Sequence, residues 1–104
     1  PLDQIIGYQN EIKTDSRHVN VSISYFLNSM SISKKKIDND SLFISHNEMS
    51  NFDIFRDNKE FTSLVLYKNT GLSIPKDTVL NAKYSKNLLL IEITNNDYEQ
   101  ILTK

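Results

Sequence analysis

Cysteine is absent from this chain of 104 residues. Its absence excludes disulfide frameworks, thiolate zinc sites, iron–sulfur clusters and cysteine nucleophiles. It leaves the compartment open, and an intracellular location is the expectation. Glycine occurs only at positions 7 and 71. A P-loop or a dinucleotide-binding turn needs several closely spaced glycines, so both are ruled out. Proline is equally scarce, with two in the chain. Turns therefore fall to Asn, Asp and Ser, which tolerate left-handed backbone or bond their own main chain. There is no excess of one charge: 12 Lys and Arg stand against 13 Asp and Glu. A nucleic-acid binder usually carries a basic surplus that neutralises phosphates. Here only a local basic face could serve. The longest aliphatic run is "LLLI" at 88–91, far below the roughly 18 residues a membrane helix requires. "PLDQIIGYQN" has neither the basic nor the apolar region of a secretory signal.

What is present suits one globular domain spanning 1–104, either a whole protein or one domain of a longer one. Hydrophobic residues make up 38% and charged residues 24%, too apolar for a disordered tail. Strand periodicity dominates. In "RHVNVSISYF", Val19, Val21, Ile23 and Tyr25 alternate with Asn20, Ser22 and Ser24, the mark of a half-buried strand. Its apolar side is expected in the core, so Val21→Asp or Ile23→Asp should bury an unpaired charge. Leu90 and Ile91 are expected core residues too. "EFTSLVLYK" has apolar residues on both sides, which predicts a central or covered strand. "TVLNAKYSKNLLLIEI" predicts a hairpin around "SKN", with Asn87 left-handed. Weaker strands are expected at Leu42–Ser45 and Phe52–Phe55, and "IPKDT" reads as a turn. "LDQIIGYQNEIK" favours a strand over a short helical turn. In "TNNDYEQILTK", Asn96 and Glu99 have capping-box spacing, and Tyr98, Ile101 and Leu102 share a helical face. The expected fold is α+β but mainly β: an antiparallel sheet or small barrel of five to seven strands with a short C-terminal helix. No segment matches a motif specific enough to name a family.

Several constellations invite a chemical reading. A free Pro1 amine could act as a base if its pKa were lowered. Asp3 nearby opposes that, and only Arg17 and Arg56 could hold an acidic substrate. His18 and His46, with Glu48 or Asp53, could form a two-histidine, one-carboxylate metal site, but no spacing demands it. Asp57-Asn58-Lys59 has the D-x-K form of some metal-dependent nucleases, yet sits where a turn is expected. Ser31-x-x-Lys34 and Ser33-x-x-Lys36 match a serine–lysine pattern without its companion motifs. No catalytic residue, metal site or cofactor is therefore assigned. Lys34, Lys35 and Lys36 form the basic cluster, read as a hairpin tip with Asp38 and Asp40 close behind. Arg17, Tyr25 and Phe26 could join it as a partner-binding surface, and lysines beside exposed aromatics suit single-stranded nucleic acid. By elimination the sequence favours a non-enzymatic protein–protein interaction or regulatory binding domain. Its alternatives are a nucleic-acid-binding regulator using the lysine hairpin and a small enzyme using Pro1.

Overall fold

The computed structural model describes residues 5–14 and 17–97, with side chains over residues 19–95. The described chain forms nine strands: β1 (Ile5–Thr14), β2 (Arg17–Phe26), β3 (Met30–Lys36), β4 (Ser41–Ser45), β5 (Ser50–Arg56), β6 (Lys59–Leu66), β7 (Thr70–Ile74), β8 (Val79–Tyr84) and β9 (Leu89–Asp97). They build two antiparallel sheets. One has the order β1-β2-β9-β4-β7 and the other β3-β8-β5-β6. The fold is an all-β sandwich.

Among the described residues, the expected C-terminal helix is not found. Asn96, its proposed cap, lies in β9 opposite His18, and Asp97 lies opposite Arg17. β9 is paired on both flanks, by β2 and β4. That ladder holds residues 89–97 extended and overrides the local capping signal, while residues 98–104 fall outside the described set. A second correction concerns pairing. β8 and β9 were expected to form a hairpin, but β8 pairs with β3 and β5 and β9 with β2 and β4. Residues 85–88 instead cross from one sheet to the other. Leu88 is fully buried at the crossing, and Phe26 N–H donates to its carbonyl at 3.0 Å. Asn47 secures the passage: its amide donates to Asn87 O and its Oδ1 accepts from Leu89 N–H, each at 2.8 Å.

Turn chemistry follows the Asn/Asp expectation. Asp57, Asn58, Asn69, Asp77 and Asn87 all have positive φ. Asp57-Asn58 closes the β5–β6 hairpin as a two-residue turn, which suits the strand twist. In "IPKDT" the closing bond runs from Thr78 N–H to Pro75 O at 3.4 Å. Lys34 is the sixth such residue, at φ 54°, where the β3–β8 register shifts between Ile32 and Lys35.

The core lies between the sheets. Phe43 and Phe52, from opposite sheets, have ring centroids 5.7 Å apart. Phe26 packs on Tyr84 at 4.8 Å. Ile37, Leu66, Ile74, Leu80, Ala82, Leu88 and Leu90 complete the buried apolar set. Between the sheets, Ser45 and Ser50 share a hydrogen bond of 2.7 Å while both are fully buried.

β2 presents the opposite face from the one expected. Asn20, Ser22 and Ser24 line the space between the sheets together with Phe26. Val19, Val21 and Ile23 point outward and are only half-buried. β4 behaves alike: Ser41, Phe43 and Ser45 are buried, while Leu42 and Ile44 are half-buried on the outside. Ile91 is outward as well, opposite Ile23 and Ile44. β6 is also corrected, because it is an edge strand and not a central one.

Candidate functional site

The proposed basic hairpin does not exist as a tip. Lys34, Lys35 and Lys36 lie inside β3, and the bulge sends each ammonium in a different direction. Lys34 stacks over the Phe55 ring at 3.6 Å, while its backbone N–H donates to Asn81 Oδ1 at 2.8 Å. Lys35 turns inward to within 3.8 Å of Glu92, and Lys36 reaches Asp77 at 3.6 Å. The other members of the set are scattered. Phe26 is buried in the core and unavailable to a partner. Tyr25 is half-buried, and its hydroxyl donates to Asn87 Oδ1 at 2.9 Å. Arg17 opens β2 beside Asp97. Of this set, Lys35 and Lys36 line one shallow depression with Asp38 and Glu92, and the side chain of Arg17 lies outside the described set.

The candidate metal ligands are equally dispersed. His46 and Glu48 are exposed in the β4–β5 turn, Asp53 accepts from the Ser63 hydroxyl at 2.8 Å on the outside of β5, and His18 is paired in β2. Asp57-Asn58-Lys59 is a hairpin turn. Pro1 lies outside the described residues.

Two concave features emerge instead. The first is a cavity of about 380 Å³ between the sheets, lined by Ser22, Ser24, Lys35, Tyr84, Glu92 and Thr94 among others. Burial, and secondarily the Glu92 charge, hold the Tyr84 phenol well above its ordinary pKa. It remains a neutral hydroxyl. Polar residues at alternate positions of β2 and β9, namely Asn20, Ser22 and Ser24 with Glu92 and Thr94, carry this cavity.

The second is a groove of about 480 Å³ at one end of the β3-β8-β5-β6 sheet. Met49 and Tyr67 line it, with Glu48, Asn51, Lys68 and Ser85 around them. Met49 is 52% exposed, Phe61 60%, Val65 39% and Tyr67 61%. Phe61 and Val65 continue the apolar character along the outer face of β6. Arg56 covers part of the Phe61 ring, at 4.6 Å from its centroid. Alternation in "EFTSLVLYK" marked these residues, but nothing in the sequence marked their strand as an edge.

No protein-family model matches the sequence, and no curated protein matches it. Solved structures do match the fold. A cupin superfamily protein from Desulfitobacterium hafniense DCB-2 aligns with a TM-score of 0.70 and 16% identity, over 91% of this chain and 80% of that one. Drosophila melanogaster CENP-C bound to CAL1 aligns at 0.60 and 10%, over 85% and 80%. Hydroquinone 1,2-dioxygenase PnpCD in complex with Fe3+ aligns at 0.62 and 12%, over 77% of this chain and 25% of that one. The likeness establishes a cupin-like β-sandwich. The fold serves both a protein-bound domain and an enzyme, so it is not specific for either.

The iron in one of these structures raises the question of whether such an ion suits this chain. A non-haem iron site built of nitrogen and oxygen donors takes two imidazoles and a carboxylate. Among the described residues, no three His, Asp or Glu side chains converge. The cavity offers one carboxylate, Glu92, already facing an ammonium. These residues do not fit a metal, and no chemistry is routed through one.

Proposed function

We propose that this chain is a non-enzymatic domain that binds a protein partner along the free edge and outer face of β6. The observation that carries this reading is the succession of Met49, Phe61, Val65 and Tyr67, all exposed, along a strand that, among the described residues, pairs on one side only. A free edge offers unpaired main-chain groups to an added strand. The other edge of the same sheet, β3, is defended by a bulge and three lysines, a familiar way of blocking such pairing. β6 has a bulge at Phe61 and charged residues only at its start, Lys59 and Glu60, so Thr62–Leu66 carries neither device. The partner that fits is an extended peptide segment with alternate apolar side chains, one of them seated between Met49 and Tyr67. CENP-C bound to CAL1 supports the reading to the extent that this fold serves protein binding elsewhere.

Selection from a displayed peptide library tests it. The enriched peptides should be extended, with apolar residues at alternate positions. Met49→Glu and Tyr67→Glu should each weaken binding at least about tenfold, the loss of a buried interface anchor, while Lys76→Glu on a distant turn leaves it unchanged. A selection that enriches nothing, or peptides indifferent to both substitutions, refutes the proposal.

A further inference from the structure

We infer that the outer face of the β1-β2-β9-β4-β7 sheet is an interface between two copies of this chain. The warrant is the inverted alternation of its strands. In β2 the described outward positions are Val19, Val21, Ile23 and Tyr25, while Asn20, Ser22 and Ser24 face inward. β4 puts Leu42 and Ile44 outside and Ser41 and Ser45 inside. Register then aligns these residues into one surface: Val21 lies opposite Ile93, Ile23 opposite Ile91, Ile91 opposite Ile44, and Ile93 opposite Leu42. At the far edge Gly71 adds no side chain, and Leu42 Cδ1 lies 3.3 Å from where its Cβ would stand. Among the described residues, no other element packs on this surface. A sheet that faces water on one side normally alternates the other way, polar outside and apolar inside.

Three properties select a second copy as the occupant. The central part of the face carries no charge, so it meets no like-charge repulsion from itself. Sheets pack on one another face to face with aligned strands. Its size is adequate: five strands at about 4.8 Å give a width near 24 Å, and eight extended residues span roughly 26 Å. Two such faces bury on the order of 1,200 Å², the lower bound of stable interfaces. A two-fold interface is self-complementary about its centre. β9 is the middle strand, so Ile91 falls near the axis. This inference is independent of the β6 site, which lies on the other sheet.

Sedimentation equilibrium of the 104-residue chain should give twice its 12.1 kDa mass in the micromolar range. Ile23→Glu and Ile91→Glu should each return the single-chain mass with an unchanged far-ultraviolet circular dichroism spectrum. Phe61→Glu, on β6, should leave the doubled mass intact. Because the chain has no cysteine, Ile91→Cys provides a gentler variant. A short bismaleimide that spans the roughly 10 Å between packed sheets should join it to a second copy, whereas Asn51→Cys, on the other sheet, should not be joined. A wild-type single-chain mass at 100 μM refutes the interface. So does a dimer in which Ile91→Cys fails to cross-link.

Discussion

The hydroxyl pair between the sheets allows a sharp energetic test of the fold. Ser45 ends β4 and Ser50 begins β5, so their 2.7 Å bond crosses from one sheet to the other. Both are fully buried. Ser45→Ala removes one oxygen and leaves the Ser50 hydroxyl without that partner in a dry interior. A buried polar group stranded in this way costs about 1–3 kcal/mol. The lost volume is a single atom, so the cavity contribution is small. Ser50→Ala should cost a similar amount. Removing both hydroxyls removes the stranded group itself, and the double variant should lie within about 1 kcal/mol of wild type. The expected coupling is therefore favourable to the double variant by at least about 1 kcal/mol, characteristic of residues in direct contact. Urea unfolding followed by circular dichroism at fixed protein concentration measures each term, with equal m-values as the check that only stability has changed. In heat, each kilocalorie corresponds to roughly 4–8 °C for a domain of this size. Additive costs, with the double variant as weak as the sum of the singles, would refute the reasoning. The two hydroxyls would then be satisfied separately and would not join the sheets.

Three other outcomes follow from the same geometry. Leu90→Ala should cost about 2–5 kcal/mol by loss of buried volume, because Leu90 is 5% exposed between the sheets; chemical denaturation reads it directly. The neutral Tyr84 phenol makes stability fall in alkali: its pKa is raised in the folded state, so above about pH 10 the unfolded chain releases a proton that the native state retains. The stabilisation is complete below that pH and is lost as pH climbs toward the folded value, and Tyr84→Phe should flatten the difference between urea midpoints at pH 8 and pH 10.5. Finally, Lys34→Glu and Lys36→Glu should not change salt-dependent retention on heparin, since the three lysines diverge into separate contacts; a marked loss for both would revive the nucleic-acid alternative.

The alternation of residues 17–26, 60–68 and 80–93 made β2, β6, β8 and β9 legible, and weaker patterns marked β1, β4 and β5, but β3, read as a hairpin tip, and β7 were not legible; the Asn/Asp turns followed from the shortage of glycine and proline. Partnership between strands was not legible. Residues 80–93 have the local pattern of a hairpin, and only the burial of Leu88 at the sheet crossing separates that pattern from a switch of sheet. The orientation of β2 was not legible either. A period of two marks a strand with two unlike faces, but it does not say which faces the core when both can be covered. Val21 and Ile23 were therefore taken for core, although Ser22 and Ser24 hold that position. The expected helix cap at Asn96 failed for a related reason. Asn96 and Glu99 supply about a kilocalorie of capping at most, while a strand flanked on both sides by partners gains a hydrogen-bond ladder along its length. The basic cluster was visible as composition, but the bulge at Lys34 that disperses it was not.

The two proposed surfaces belong to opposite sheets, and that arrangement has a measurable consequence. A dimer through the β1-β2-β9-β4-β7 face stacks four sheets, leaving the two β6 faces at its outer ends. With about 10 Å between packed sheets, those ends stand roughly 30 Å apart. Two copies of a β6-binding peptide on one tether can reach both ends only if the tether spans that distance along the flank. A flexible Gly/Ser linker of n residues has a root-mean-square length of about 5–6 Å × √n. Ten residues reach about 17 Å and fall short, while about forty reach about 35 Å. The long tether should therefore tighten binding well beyond the single peptide, and the short one should not. The gain should vanish in Ile91→Glu, whose single-site affinity should match wild type. A gain that persists in Ile91→Glu would mean that the tether bridges sites within one copy. If neither tether length gave a gain to the wild-type dimer, the two peptide sites would not stand at opposite ends of it.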